Sequence, residues 1–511
     1  MKKFIIALIV LIHTTAYGGE SPTEDIRLHI EVLSSDKFAG RLSGSVGGQE
    51  SGEYIANEFK NRRLLPAVAG SYLQPFEISL KSLGKDSRLV ISGRELKILE
   101  DYVPLTVCPP GEARAKNIPP GDRQGFQTPS EGFSGEDVSG KVAVVRYDEA
   151  VADGGLPAKI KEAEEVGAKA LLILKQDLYS DYTVWKELIP PKLRTRWEKS
   201  LTEDFSHFLP MKVAQKMNLM PQVTSKIPCL LVREDRITEK HENVIPAQAG
   251  IQNADRSLDS HLRGNDGHLE GFSSEISMKV DIVEDKISAR NIIGYLPGKG
   301  EHKDEVIIIG AHYDHLGLDS KGVPFPGADD NASGVAALLE VAERLAKKGT
   351  ERSVVFIVFD GEEWGLTGSR YYTNHPLFPL EKTILMVNMD AIGRNEPDAI
   401  HFLGSQRSPD VRRVAGEIAE QASMKLLDDI EFAFKYGSDH YPFYEKGIPA
   451  IDLTSSYHED FHKITDTPEK VNVDKVSKIA DLVYRLALEV SNSEVNFQKP
   501  LQVDVPFPEQ R

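Results

Sequence analysis

An α/β fold with a central sheet covered by helices on both faces is predicted by two observations. From Asn291 onward, short apolar runs alternate with stretches of helical periodicity. The runs NIIGYLPG, EVIIIGAHYD, SVVFIVFD and TILMVNMD lack polar/apolar alternation, as expected of strands buried on both faces. In addition, His312, Asp360 and Asp390 stand at the C-terminal ends of such strands, where open α/β sheets gather their ligand groups.

The elements follow in chain order. Lys2 and Lys3 precede an apolar stretch, Phe4 to Ile12, that is too short to span a bilayer, and the small residues Ala16 and Gly18 follow it. This reads as an export signal over residues 1–18. The expected mature protein is periplasmic or secreted, with no stable membrane association. Residues 22–88 read as the first part of the main domain: a helix from Thr23 to Leu33, a polar loop SSDKFAGRLSGSVGGQES, and a helix from Tyr54 to Arg62. Residues 89–283 change character to short β-like runs and Pro/Gly turns. Within them GKVAVVRYD, KIKEAEEVGAKALLIL and KIPCLLV read as strand, helix–strand and strand of an inserted module. Residues 243–271 lack periodicity and are rich in turn formers, so a surface loop is expected there. Residues 284–492 resume the α/β rhythm, with an amphipathic helix from Ala332 to Lys347, and 493–511 form a tail.

The 511 residues carry a formal charge of −17 and no basic cluster, which argues against a nucleic-acid partner. The two cysteines, Cys108 and Cys229, fit no metal or nucleophile motif. In an exported chain they could pair, or both could be buried thiols.

The chemistry concentrates in GAHYDH, PGADDNASG, FDGEEWGLTGS, NMDAIG and FHKITDTP. Histidines and carboxylates in this order suit two zinc ions sharing one carboxylate, because bare dications a few ångströms apart repel strongly. Asp330 fits the shared role, at a turn against a helix N-terminus whose dipole favours an anion. His312 ends a strand, and Asp314 can reach back to its second ring nitrogen. Glu362 and Glu363 are adjacent after a buried strand and point apart, which gives one metal ligand and one general base. Asp390 and His462 supply the remaining ligands.

These motifs, together with LSSDKFAGRLSGS near the N-terminus, resemble the co-catalytic dinuclear-zinc aminopeptidases related to bacterial leucyl aminopeptidase, glutamate carboxypeptidase II and the transferrin receptor. The middle block resembles the protease-associated domain often inserted in that family. The resemblance implies a mixed central sheet of the zinc-exopeptidase, phosphorylase/hydrolase-like kind, plus a β-rich insert. It implies two zinc ions: His312 and Asp390 on one, Glu363 and His462 on the other, Asp330 on both. Glu362 would be the base and Asp314 would support the ligands. YGSDHYPF resembles stretches that border the family's substrate pocket, making Tyr436 and His440 candidate substrate-binding residues. The implied activity is removal of N-terminal residues from peptides by a two-zinc-activated water. The alternatives on the same scaffold are glutaminyl cyclisation, acidic-dipeptide carboxypeptidase activity, and a catalytically dead binding protein.

Overall fold

The apolar runs of the C-terminal half, joined by two strands from the first hundred residues, pair into one nine-stranded mixed sheet in the computed structural model of the chain. The structure describes residues 21–83, 282–319, 321–427, 437–493, 497 and 500, and between the first two ranges 86, 88–91, 93–96, 102–104, 111–116, 142–146, 156–175, 229–233 and 275–280. The export signal, the 243–271 segment, Cys108 and Tyr436 lie outside the described residues.

The chain divides into two compact units, one made of Met1–Ser79 with Lys286–Arg511 and the other of Leu80–Asp285. The strands of the large sheet are β1 (Leu65–Pro66), β2 (Leu73–Leu83), β3 (Ile282–Leu296), β4 (Val306–His312), β5 (Ser353–Phe359), β6 (Thr383–Asp390), β7 (Ala399–Leu403), β8 (Lys425–Leu427) and β9 (Ala450–Thr454). Their order is β1-β3-β5-β4-β6-β9-β7-β8, with β2 also on β3. The centre, β5-β4-β6-β9, is parallel, whereas β3 and β7 join antiparallel. The mixed sheet expected from the resemblance is therefore present.

Every residue of β4 and β5 is buried. Alternate residues nevertheless serve different faces. Ile307, Ile309, Val354, Phe356 and Val358 pack in one core with α1 (Pro22–Leu33), α2 (Val46–Asn61), α3 (Gly334–Lys348), α5 (Pro409–Gln421) and α7 (Val473–Asn492). Ile308, Val355, Ile357 and Phe359 pack in the other, with Tyr372 of α4 (Thr367–Asn374) and Phe443 and Tyr444 of α6 (Tyr441–Glu445). Two apolar faces remove the polar/apolar alternation while keeping the period of two.

One element differs from expectation. The glycine-rich stretch expected as a loop is largely helical: α2 begins at Val46, with the Ser45 hydroxyl capping Gly48 N–H at 3.0 Å. Its glycines serve close approach. A Cβ on Gly47 would lie 2.0 Å from the Phe38 carbonyl oxygen, and one on Gly48 would lie 2.3 Å from that of Leu42. Turn-forming composition and tight helix packing look alike in sequence.

The second unit is β-rich. Arg94–Leu96, Arg88–Ile91, Glu275–Val280 and Gly111–Lys116 form an antiparallel sheet. Tyr102–Pro104, Cys229–Arg233, Ala170–Lys175 and Val142–Arg146 form another, with the helix Leu156–Glu165 linking its parallel last pair. No helix among the described residues is long and apolar enough to cross a membrane.

Candidate metal centre

The parallel strands deliver their C-terminal ends to one place. His312 is the last residue of β4 and Asp390 the last of β6, while Glu362 and Glu363 follow β5. Asp330 lies in the turn 328–333 that leads into α3, and His462 comes from the loop after β9. His312 Nε2 is 3.2 Å from Asp390 Oδ1 and 3.3 Å from Asp330 Oδ1. On the other side, His462 Nε2 is 3.0 Å from Asp330 Oδ2 and 3.2 Å from Glu363 Oε1. One carboxylate thus faces two separate sets of donors with its two oxygens. The side chains of His312, Asp330 and Glu363 are almost wholly buried, while His462 keeps 29% of its side-chain surface exposed and marks the open side.

The backbone around Asp330 is held by its neighbours, which leaves the carboxylate free for a ligand. Asp466 accepts hydrogen bonds from Asp329 N–H at 3.0 Å and Asp330 N–H at 3.1 Å. Asn331 donates to the Met389 carbonyl and accepts from Gly334 and Ala391 N–H. The Asp330–Asn331 peptide bond is cis. Asp330 Oδ2 and His462 Nε2 are buried without a hydrogen bond of acceptable geometry, although they lie 3.0 Å apart. Two such atoms converging without a proper bond are what a cation placed between them requires.

Asp314 does more than expected. Its Oδ1 is 3.7 Å from His312 Nδ1, whereas its own carbonyl oxygen is nearer that nitrogen, at 3.2 Å. The carboxylate is occupied elsewhere: Oδ1 accepts Glu362 N–H at 3.0 Å and Oδ2 accepts Glu363 N–H at 3.2 Å. It thereby fixes the loop carrying both glutamates. Gly361, at φ +71, opens that loop, and a Cβ there would lie 2.1 Å from Thr367 Oγ1. His440 is fully buried, with Nδ1 4.0 Å from Asp452 Oδ2.

Several contributors were not singled out from sequence. Arg41, fully buried, donates from Nε to the Tyr313 carbonyl, from Nη1 to those of Leu33 and Pro326, and from Nη2 to that of Gly327. It ties the N-terminal segment to both ligand loops. Ser43 Oγ lies 2.7 Å from Asp360 Oδ1 and 3.2 Å from Asp314 Oδ2. His458 Nε2 approaches Asp329 Oδ2 at 3.3 Å, and His315 Nδ1 lies 3.0 Å from Glu363 Oε1. The DD and HYDH strings held this signal, but adjacent polar residues do not reveal which one faces a ligand.

Burial and neighbouring charge together shift the titratable groups of this cluster upward or downward. Burial pushes Asp360, Asp439 and Asp466 each up to about 7, and drives Asp452 well above the usual carboxylate range, reinforced by Asp390. Burial alone would lower His462, but Glu363 and Asp330 raise it to about 9. Burial would likewise lower His312, yet the Asp390 and Glu362 charges raise it well above its ordinary value. Arg41 is lowered by burial to about 10 and stays charged at neutral pH. Without further cations, protons gather on this cluster; bound dications would take their place.

Known proteins resemble this chain in sequence and in fold. The family model described as Peptidase family M28 matches residues 291–487. The Escherichia coli K12 protein YfbL, described as uncharacterized, is 30% identical over 233 residues, covering 39% of this chain and 70% of YfbL. The chain belongs to peptidase family M28. Aminopeptidase YwaD of Bacillus subtilis is 27% identical over 246 residues, which cover 46% of this M28 chain and 51% of YwaD. The chain thus matches about half the length of that relative. Among solved structures, the aminopeptidase of Aneurinibacillus sp. strain AM-1 superposes with a TM-score of 0.56 at 20% identity, over 95% of this chain and 96% of that one. That likeness concerns the fold.

Proposed function

We propose that this M28 chain is an exported zinc-dependent aminopeptidase that works with two zinc ions. The observation that carries the proposal is Asp330, whose two carboxylate oxygens face His312 with Asp390 on one side and His462 with Glu363 on the other. His312 and Asp390 would hold one ion, His462 and Glu363 the second, and Asp330 both. When bound, the ions supply a water of lowered pKa and polarise the substrate carbonyl. Glu362, buried and held through its N–H by Asp314, accepts a proton from the attacking water and returns it to the departing amine. Asp314 and Ser43 keep the 360–363 loop in place. The mostly buried ligand set leaves His462 as the approach side, where an extended peptide end meets the centre. The choice of the amino end follows the aminopeptidase relatives. The β-rich unit Leu80–Asp285 fits a protease-associated insert, and His440 and Tyr436 are proposed to support the substrate pocket. The export signal at residues 1–18 would place the enzyme in the periplasm or medium.

Elemental analysis together with hydrolysis of aminoacyl amides and their N-acetylated forms tests this reading. Two zinc equivalents, loss of activity with chelator, and cleavage only of substrates with a free amino terminus are expected. One equivalent or none would overturn the two-ion centre. Release of C-terminal acidic residues, or cyclisation of glutaminyl peptides, would overturn the aminopeptidase assignment.

A further inference from the structure

His315 stands beside the second donor set without belonging to the pattern read from sequence. It is fully buried, directly after Asp314, and its Nδ1 lies 3.0 Å from Glu363 Oε1 but 3.8 Å from Asp330 Oδ2. His462 Nε2 lies 3.2 Å and 3.0 Å from the same two oxygens, nearly centred between them. A ligand facing the second ion should be centred in this way; His315 is displaced toward the glutamate at hydrogen-bond distance. Its other nitrogen decides the tautomer. Nε2 is buried with no hydrogen-bond partner among the described residues. A histidine coordinating through Nδ1 carries its proton on Nε2 and ordinarily gives it to an acceptor. Here that proton would be a buried, unpaired donor, while the Nδ1 lone pair would face a carboxylate oxygen 3.0 Å away that itself can only accept. With the proton on Nδ1, the ring donates to Glu363 instead.

The structure assigns His315 as a positioning residue that donates a hydrogen bond from Nδ1 to the metal-facing oxygen of Glu363 and so sets the affinity of the second metal site. The carboxylate oxygen has lone pairs for both roles, one toward the ion and one toward the imidazole. Glu363 is then held twice: its amide by Asp314 at 3.2 Å and its carboxylate by His315 at 3.0 Å. Residues 314 and 315, adjacent in sequence, lock the two ends of one ligand. The Glu363 rotamer is thus fixed before an ion arrives, which reduces the ordering cost of binding.

This inference rests on the two-ion reading, and the experiment separates them. Zinc stoichiometry and chelator competition are measured on the wild-type protein and on His315→Ala, His315→Asn and His462→Ala. Expected are two ions in the wild type, a second-ion affinity weakened by about ten- to hundredfold in His315→Ala with the first ion unchanged, and loss of the second ion in His462→Ala. His315→Asn should recover most of the affinity, because an amide N–H can stand near the Nδ1 position. Unchanged second-ion affinity in His315→Ala would overturn the assignment. Loss of the second ion in both His315 variants, as in His462→Ala, would also overturn it and make His315 a ligand. A wild-type protein that binds a single ion would instead remove the two-ion reading itself, and the assignment with it.

Discussion

Replacing Arg41 separates charge from geometry at the base of the candidate metal centre. The guanidinium reaches four carbonyl oxygens: Tyr313 at 2.8 Å, Leu33 and Pro326 at 2.7 Å, and Gly327 at 2.9 Å. Hydrogen bonds to charged groups contribute roughly 1.5 kcal/mol each at the lower end. Arg41→Ala removes all of them and leaves buried carbonyls, so a loss of about 6 kcal/mol is expected from that lower figure, less where water enters the space. Arg41→Lys keeps the positive charge beside Asp330, Asp466, Asp314 and Glu363. One ammonium nitrogen cannot occupy the three positions of the fork and reaches about half of the carbonyls, for a loss of roughly 3 kcal/mol. Urea unfolding of the zinc-free proteins, followed by tryptophan fluorescence, gives the two values. A Lys variant within about 0.5 kcal/mol of wild type would refute the argument, because charge alone would then suffice. An Ala variant that unfolds like wild type would refute any structural role for the residue.

Other outcomes follow from the same geometry. Glu362→Gln should lower kcat by about a hundredfold to ten-thousandfold while zinc content stays at the wild-type value, since a proton carrier is lost and no ligand is removed. Near-normal kcat would rule out Glu362 as the base. His29, buried between Tyr54 and Arg62, is lowered to about 3 by burial and by the Arg62 charge. The unfolded chain therefore binds a proton that the folded chain refuses. Stability contributed by neutral His29 is fully present above 6.5 and falls by about 1.4 kcal/mol per pH unit as pH drops from 6.5 toward 3. Denaturant unfolding of wild type and His29→Asn between pH 7 and pH 4.5 checks this; parallel pH profiles would contradict it. Gly361→Ala should destabilise the glutamate loop, because it adds a side chain at positive φ against Thr367. Equal thermal stability of that variant would show that the loop yields there.

The fold's legibility followed from physics that acts locally. β4 and β5 announced themselves because both faces of the central strands are apolar, and α3 because its apolar stripe repeats at helical period. The convergence of the candidate ligand residues was legible for a different reason: strand ends carry most of them, and strand ends are easy to find once the strands are. The start of α2 was not. Gly47 and Gly48 satisfy a contact with Phe38 and Leu42 that arises only when the chain folds back. Arg41 was equally hidden, since its partners span sequence separations up to 286 residues. A lone arginine in a polar stretch carries no local sign that it will be buried.

The division between what was and was not legible follows the electrostatics of the centre. Ligands must be histidine or carboxylate and must lie where the sheet delivers them, so their chemistry restricts their sequence. The groups that hold the ligands have no such restriction. Asp466 supports Asp330 through two backbone amides, Asp314 supports Glu362 and Glu363 in the same way, and Arg41 supports the loops through carbonyls alone. Backbone groups are the same at every residue, so these contacts impose no pattern on the partner's sequence. They also explain how so many buried carboxylates coexist: each supporting acid is neutralised in part by N–H donors rather than by a paired cation. Asp330 Oδ2, left without such a donor, is one of the atoms that face the proposed ions. The site is therefore organised from outside inward, with backbone dipoles satisfying the supporting acids and the residual negative charge directed at one point.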